Sequence, residues 1–231
     1  MAKTDKRNKT QAAPQTDTPY LSADERAAQG KALRDGAPRT SHAGWKPFDG
    51  RRDPVELLSA SNEGRVPELI PIRFGRMSAS PFAFYRGAAA LMAADLAHTP
   101  TSGIRVQACG DAHLMNFGAF ATPERNVIFD INDLDETLPA PFEWDLKRLA
   151  ASVVIAARYL ELPNNDAARV ATDLVRGYRE RMSDYATMRA LDVWYDKIDL
   201  QKYEDRSADP AVIKEARKRF SERLQQEQRK S

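Results

Sequence analysis

The residues whose types could support chemistry are concentrated between positions 105 and 136. We treat these polar side chains as candidates: Asp111, His113, Asn116, Asp130, Asp133 and Asp135. Carboxylates that are brought close together repel each other and resist burial, and a bound cation removes that cost. Because the candidate ligands are Asp and Asn oxygens, with no pair of cysteines, the pattern favours Mg²⁺ over zinc. Mg²⁺ held by one or two carboxylates commonly carries a substrate phosphate, and a nearby Asp can accept a hydroxyl proton as general base.

Three short apolar runs predict the strands that position these side chains: 106–109, 117–121 and 127–131. Residues 122–126 carry turn chemistry, so we predict that the second and third runs form a hairpin. Closing the hairpin brings Asn116 opposite Asn132 and Asp133, and the candidate side chains should then share one rim. Asp130 and Asp133 have opposite parity along a strand, so only one of them can face a given partner, and the sequence leaves that choice open.

Asp111, His113 and Asn116 form the pattern D-x-H-x-x-N. Asp130 then closes the next strand but one. This arrangement resembles the catalytic core of the kinase-like phosphotransferases, with the closest likeness to the aminoglycoside and choline kinase branch. The resemblance implies Mg²⁺ and ATP as cofactors, Asp111 as catalytic base, and Asn116 and Asp130 as metal ligands. That branch often has His two positions before the base, where this chain has Cys109.

The sequence around this pattern is similar to that of one bacterial family, the domain of unknown function 2252. Four segments carry the similarity: RMSASPFAFYRGAA (76–89), CGDAHLMNFG (109–118), FDINDLDE (129–136) and EWDLKRLAAS (143–152). The likeness runs from about Gly44 to the C-terminus. Arg76 and Arg86 lie in the first segment, and we expect them to pair with the acidic rim or with a cofactor phosphate. In kinase-like proteins an Asp near the start of the corresponding helix accepts backbone N–H groups of the catalytic loop. The resemblance assigns that supporting role to Asp145.

A kinase-like site also needs a Gly-rich strand turn over the phosphates and a Lys on a strand. No such pattern precedes Asp111, and the resemblance places those strands after the helices. We therefore expect a shortened member, truncated at the C-terminus, which holds the base and metal loop without the nucleotide lobe. Only a short segment separates Asp130 from Asp145. It leaves no room for the activation segment of protein kinases, which favours a small hydroxylated acceptor over a protein.

Composition limits the other functions. The chain has 231 residues and a formal net charge of +2, so its bulk charge gives no argument for nucleic acid. Cys109 is the sole cysteine, which excludes an internal disulfide and fits a reducing compartment. The sequence has no apolar run long enough to span a membrane, and its start lacks the apolar core of a signal peptide. We therefore expect a cytoplasmic protein without a membrane partner, whose oligomeric state the sequence does not specify.

The expected fold class is α+β, mostly helical, with a small antiparallel hairpin that carries the acidic loop. The predicted organisation is a disordered tail over 1–20, a helix and linker over 21–43, and one kinase-like domain over 44–231. Residues 44–71 are predicted as loop and 138–141 as a break. Predicted helices cover these ranges: 21–34, 80–97, 141–162, 165–188 and 209–228, with a short helix or turn over 191–200.

Three functions follow from these patterns. The first is an Mg²⁺- and ATP-dependent phosphotransferase, in which Asp111, His113 and Asp145 form the catalytic group and Asn116, Asp130 and Asp133 the metal group. The second is a non-catalytic remnant or module that binds metal or phosphate. The third is a metal-dependent phosphoesterase, which needs several His ligands. That chemistry is poorly supplied here, because the chain has only three histidines, at 42, 98 and 113.

Overall fold

The computed structural model describes residues 21–124 and 126–199. The protein is mostly helical with small antiparallel sheets, as the sequence predicts for an α+β fold. The predicted N-terminal tail and the predicted helix over 209–228 lie outside the described residues. The α-helices are α1 (Ala23–Gly36), α2 (Pro54–Ala60), α3 (Ile70–Met77), α4 (Pro81–Arg86), α5 (Ala89–Leu96), α6 (Phe142–Tyr159), α7 (Asn164–Thr187) and α8 (Ala190–Tyr195).

Two small antiparallel sheets are formed by these strands: β1 (Arg105–Ala108), β2 (Phe117–Ala121), β3 (Val127–Ile131), β4 (Leu138–Pro141) and β5 (Ile198–Asp199). The strand order is β1–β4 in one sheet and β2–β3–β5 in the other. Ala121 pairs with Val127 and Phe117 with Ile131, which confirms the predicted hairpin and its register. The hairpin therefore ends with Asn116 opposite Asn132, where the Asn132 N–H donates to the Asn116 carbonyl oxygen at 2.8 Å.

The prediction of a break over residues 138–141 is wrong, because this segment is strand β4, paired with β1. Pro139 lies opposite Gln107 and Pro141 lies opposite Arg105. The two prolines lie two positions apart, so both can occupy positions whose N–H would point away from the partner strand. Proline signals a break in a central strand but is tolerated in a two-stranded ribbon of this kind.

The prediction of a loop over residues 44–71 is also wrong, because α2 and the start of α3 fall within it. The Asp53 carboxylate caps α2 by accepting the N–H groups of Val55 at 2.8 Å and Glu56 at 3.1 Å. Pro54 and Pro71 stand in the first turns of α2 and α3. A proline costs little there, since its missing N–H would have had no partner within the helix.

The single helix predicted over 80–97 is divided into α4 and α5 at Gly87 and Ala88. Ala88 leaves the helical conformation, with φ −111° and ψ 34°. A Cβ atom on Gly87 would lie 2.6 Å from Cγ of Met77, so the glycine lets the Met77 side chain pack against the backbone. Met77 joins the buried apolar cluster formed by Leu58, Met77, Ala88 and Leu91. The break therefore serves the packing of α3 against the α4–α5 corner.

Helix α6 occupies the centre of the fold and contacts α4, α5, α7, strand β1 and the short 3-10 turn over 114–116. Its predicted extent is confirmed to within three residues, as is that of α7. The side chains of Arg148 and Ser152 on α6 are 2% and 0% exposed. Within the described residues, no helix combines the length and apolar character needed to cross a bilayer.

Candidate functional site

The candidate site begins where β1 ends and the chain turns sharply at Gly110. This residue has φ +79°, a conformation that side chains other than glycine rarely adopt. A Cβ atom here would lie 2.8 Å from the carbonyl carbon of Glu136, well inside van der Waals contact. Only glycine therefore lets the chain pass this close to residue 136 and deliver Asp111 to the surface beyond it.

Asp145 holds the turn from the side of helix α6. Its Oδ2 accepts the Cys109 N–H at 2.7 Å, and its Oδ1 accepts the Gly110 N–H at 3.0 Å. These are the backbone hydrogen bonds that the sequence analysis expects of Asp145. They provide acceptors for two backbone N–H groups that lie beyond the end of β1, so the turn has one preferred geometry.

The Asp111 carboxylate forms an ion pair with Arg148, which the sequence analysis did not single out. Arg148 Nε donates to Asp111 Oδ1 at 2.8 Å, and Arg148 Nη2 donates to the same oxygen. Asp145, Arg148 and Ser152 follow one another at spacings of three and four, so they lie on one face of α6. That row of polar residues on one face of α6 was the sequence signal that could have revealed Arg148.

Further along the loop, Ser152 and His113 fix the backbone. Ser152 Oγ accepts the Leu114 N–H at 2.9 Å, and His113 Nδ1 accepts the Met115 N–H at 3.1 Å. The His113 Nε2 atom lies 3.5 Å from Asp111 Oδ2. Burial, reinforced by the nearby arginines, lowers the pKa of His113 to about 4. His113 is therefore neutral at pH 7, and because Nδ1 is an acceptor, its proton is on Nε2, facing Asp111.

Asn116 ties the loop to the far end of the hairpin. Its Nδ2 donates to the carbonyl oxygens of Asp111 at 3.0 Å and Asp133 at 2.9 Å. Its Oδ1 accepts the Asp133 N–H at 3.0 Å. The side chain is buried, so both ends of the amide are engaged with the backbone. Asn116 consequently keeps Asp133 beside the loop that carries Asp111.

The other carboxylates of the predicted rim are exposed and use only local contacts. Asp130 Oδ1 accepts the N–H of its neighbour Ile131 at 2.7 Å, and Asp133 Oδ1 accepts the Asp135 N–H at 3.0 Å. No group of three or more His, Cys, Asp or Glu side chains is placed to hold a metal within residues 21–124 and 126–199. The structure thus brings Asp111, Asn116 and Asp133 together through the Asn116 amide and the backbone, without assembling the carboxylates of Asp111 and Asp133 into a metal cage.

The charges around Asp111 are mixed. Burial raises the pKa of Asp111, the Arg148 guanidinium opposes that shift, and the charges of Glu136 and Arg86 act weakly in opposite directions. Arg86 is exposed at the end of α4, and it also lowers the pKa of His113. Its charge is therefore close to both loop residues.

Arg76 is exposed in the last turn of α3. Arg73 is instead held by Asn62 and by the Gly87 carbonyl oxygen, each at 2.8 Å.

An open groove of about 450 Å³ lies beside α4. It is lined by residues 77–81 together with Phe84, Tyr85 and Ile155. Tyr85 links the groove to Arg148 on α6, because its hydroxyl donates to the Arg148 carbonyl oxygen at 2.9 Å. The Arg148 side chain in turn contacts Asp111 in the loop. The volume is in the range of small-molecule pockets, but none of the residues that line this groove belongs to the loop over 109–116.

The fold and the loop together define an α+β protein in which one face of a central helix holds an acidic turn. The family model described as an uncharacterized protein conserved in bacteria (DUF2252) matches residues 65–231, and the chain belongs to this family. The predicted membership is confirmed, with the match beginning at residue 65 rather than near Gly44. No curated protein and no solved structure matches the chain.

Proposed function

We propose that the chain carries the catalytic half of an Mg²⁺- and ATP-dependent phosphotransferase that acts on a small hydroxylated molecule. The observation that carries this proposal is the state of Asp111. One carboxylate oxygen is held by Arg148, whereas Oδ2 makes only the long 3.5 Å contact with His113. The side chain keeps 23% of its surface exposed. A fixed, partly exposed carboxylate with one oxygen that Arg148 does not engage is suited to accept the proton of a bound hydroxyl group.

The electrostatic environment supports the role of general base. Burial raises the pKa of Asp111 above its usual range, which makes the carboxylate a better proton acceptor, while Arg148 opposes the shift and favours the ionised form. His113 is neutral and presents an N–H, so it does not compete for the proton. The loop geometry is held by Asp145, so the base is positioned before substrate arrives.

The proposed phosphate and metal sites are based on exposed charged residues near Asp111 and at the end of the hairpin. Arg86 is an exposed cation close to Asp111, and with Arg76 it would bind the phosphates of the nucleotide. The exposed Asp130 and Asp133 offer oxygen ligands of the kind that Mg²⁺ uses together with substrate phosphates. Asn116 Oδ1 already accepts the Asp133 N–H, so it would offer only its second lone pair to the metal ion. The donors thus fit an ion that arrives with the nucleotide, and its charge would neutralise the phosphoryl group in transfer.

A second candidate function is a non-catalytic module of the same fold that binds metal or phosphate. The observation in its favour is that the described residues contain no Gly-rich phosphate turn; Gly75 and Gly87 stand in isolation. The resemblance of the loop to that of kinase-like proteins fits both candidates. A phosphoesterase gains no such support, because its several His ligands are not gathered into a metal group in the described part of the chain.

Isothermal titration with Mg²⁺ and a non-hydrolysable ATP analogue would test the proposal. The wild type should bind the analogue only with Mg²⁺ present, and Asp130→Asn should weaken that binding at least tenfold. Asp184→Asn, which changes an exposed carboxylate on α7, is the matched control and should bind as the wild type does. Metal binding without nucleotide binding would favour the non-catalytic module, and no binding of either would refute the phosphotransferase.

Turnover separates catalysis from binding. With a panel of small hydroxylated acceptors, the wild type should convert ATP to ADP in an acceptor-dependent way. Asp111→Asn should bind the nucleotide as before and transfer phosphate at least a hundredfold more slowly, since general-base catalysis contributes roughly 10²–10⁴-fold. Phosphate transfer that survives in Asp111→Asn would show that this residue is not the base.

A further inference from the structure

Arg148 connects two parts of the proposed site that are distant in sequence. Its Nε and Nη2 atoms both donate to Asp111 Oδ1, and Nη2 also donates to the Tyr85 carbonyl oxygen at 3.1 Å. Nη2 lies 3.5 Å from the Arg86 carbonyl oxygen as well. One guanidinium group on α6 therefore contacts both the carboxylate of the proposed base and the end of α4.

Tyr85 completes the connection in the opposite direction. Its hydroxyl donates to the Arg148 carbonyl oxygen at 2.9 Å, and its ring lies 4.7 Å from the Arg148 guanidinium carbon. Helix α4 is thus tied to α6 by hydrogen bonds that run both ways between the same two residues. Arg86 follows Tyr85 directly, so its Cα position is set by these bonds.

We propose that Arg148 is a positioning residue, which holds Oδ2 of Asp111 and the phosphate-binding Arg86 at a fixed separation. This inference rests on the proposed function, because it concerns the geometry of the same reaction. Both donors of Arg148 converge on Oδ1, which fixes the position of that oxygen and leaves Oδ2 for the acceptor hydroxyl. A planar guanidinium that gives two N–H donors to one oxygen and further donors to a backbone is specific in a way that a lysine ammonium is not.

Stability alone is a weak reason for such a pair. Taking two charges out of water offsets much of their mutual attraction, so buried ion pairs often add little net stability over apolar residues of the same size. Arg148 is 2% exposed and Asp111 is largely buried. A misplacement of about 1 Å at a reacting group can slow catalysis on the order of a hundredfold, so fixed geometry gives this arginine a use beyond stability.

The test compares Arg148→Lys and Arg148→Met with a matched control, Arg158→Met, which changes an exposed arginine in the last turn of the same helix. We expect kcat for phosphate transfer to fall at least a hundredfold in Arg148→Met and less in Arg148→Lys. KM for ATP should stay within about threefold, because the bond from the Tyr85 hydroxyl to the backbone carbonyl of residue 148 survives the substitution and still holds the end of α4 that carries Arg86. Arg158→Met should match the wild type. A folded Arg148→Met protein with kcat within twofold of the wild type would overturn the inference.

A second measurement does not depend on activity. Melting temperatures of Asp111→Asn, Arg148→Met and the double variant form a thermodynamic cycle, in which coupled residues give non-additive shifts. Non-additive shifts support the pairing, whereas additive shifts refute it. If Arg148→Met does not fold, Tyr85→Phe replaces it, because this variant keeps the ring and removes the hydroxyl bonds to the Arg148 carbonyl oxygen and the Met92 sulfur. It should lower kcat several-fold, and an unchanged kcat would contradict the inference. Wild-type protein that neither binds nucleotide nor transfers phosphate would refute the proposed function instead, and the cycle would still decide the pairing.

Discussion

The two halves of the candidate site are built differently. The loop over residues 109–116 is held by side chains from α6 at almost every step, and its own His113 and Asn116 are buried. The end of the hairpin over residues 130–135 is exposed, and its carboxylates bond only to neighbouring backbone N–H groups. Asn116 is the side chain that joins the two.

The contrast indicates how the site would operate. The half that carries the proposed base is preorganised, whereas the half that carries the proposed metal ligands is open to water. An exposed pair of carboxylates avoids the repulsion that a buried cluster would suffer without its cation. We therefore expect mutations in the loop to affect folding and mutations at the hairpin end to affect ligand binding.

The strongest way to test this contrast is at the turn itself. Gly110→Ala should lower the free energy of unfolding by about 4 kcal/mol, since backbone strain at positive φ and a steric clash with residue 136 add together. Gly103→Ala is the matched control, because Gly103 has φ +85° but nothing within 4 Å of its Cβ position. It should lose only about 1–2 kcal/mol. Urea unfolding measures both, and equal losses would show that close packing at Gly110 is unimportant.

Acid should weaken the loop through His113. Its pKa is about 4 in the folded protein against an ordinary value of 6.5, so the unfolded chain binds the proton more readily between these values. The stability contributed by neutral His113 is fully present above pH 6.5 and is lost as the pH falls towards 4, by about 3 kcal/mol in total. Urea unfolding at pH 7, 5.5 and 4.5 should show a smaller loss in His113→Asn. An identical pH dependence in both proteins would contradict the assignment.

Asp145 should show an intermediate effect. Asp145→Asn keeps one acceptor oxygen for two backbone N–H donors, so one donor is left facing an amide, at a cost of about 2 kcal/mol. Asp166→Asn, in the exposed first turn of α7, is the control and should change stability by less than about 0.5 kcal/mol. Chemical unfolding compares the two. Similar losses would mean that Asp145 acts as an ordinary residue of a helix start.

The smallest change in stability is expected at the hairpin end. Asp130→Asn should alter the free energy of unfolding by less than about 0.5 kcal/mol, because the side chain is exposed and holds only its neighbour's N–H. The same variant should bind the Mg²⁺-dependent nucleotide analogue at least tenfold more weakly, so folding and binding measured on one preparation separate the roles. A large loss of stability would show that Asp130 belongs to the rigid half instead.

Local patterns predicted much of the fold. The hairpin register and the extents of α6 and α7 follow from short-range sequence rules. The errors fall where proline and glycine were interpreted without their surroundings. Pro139 lies in a two-stranded ribbon, and Gly87 makes room for Met77, a residue ten positions earlier. Such contacts leave no periodic signal in the sequence.

For the candidate site, residue types and spacing were enough to identify the acidic loop, and the resemblance to known families supplied the family and the expected backbone bonds of Asp145. Only the tertiary structure decided that Arg148 pairs with Asp111, that the Asn116 amide is engaged with the backbone, and that the carboxylates near Asp130 remain apart. The reason is physical: hydrogen bonds within a turn or a hairpin are determined by neighbours along the chain. The partner of a buried charge is determined by which helix packs over it, and that depends on the whole fold.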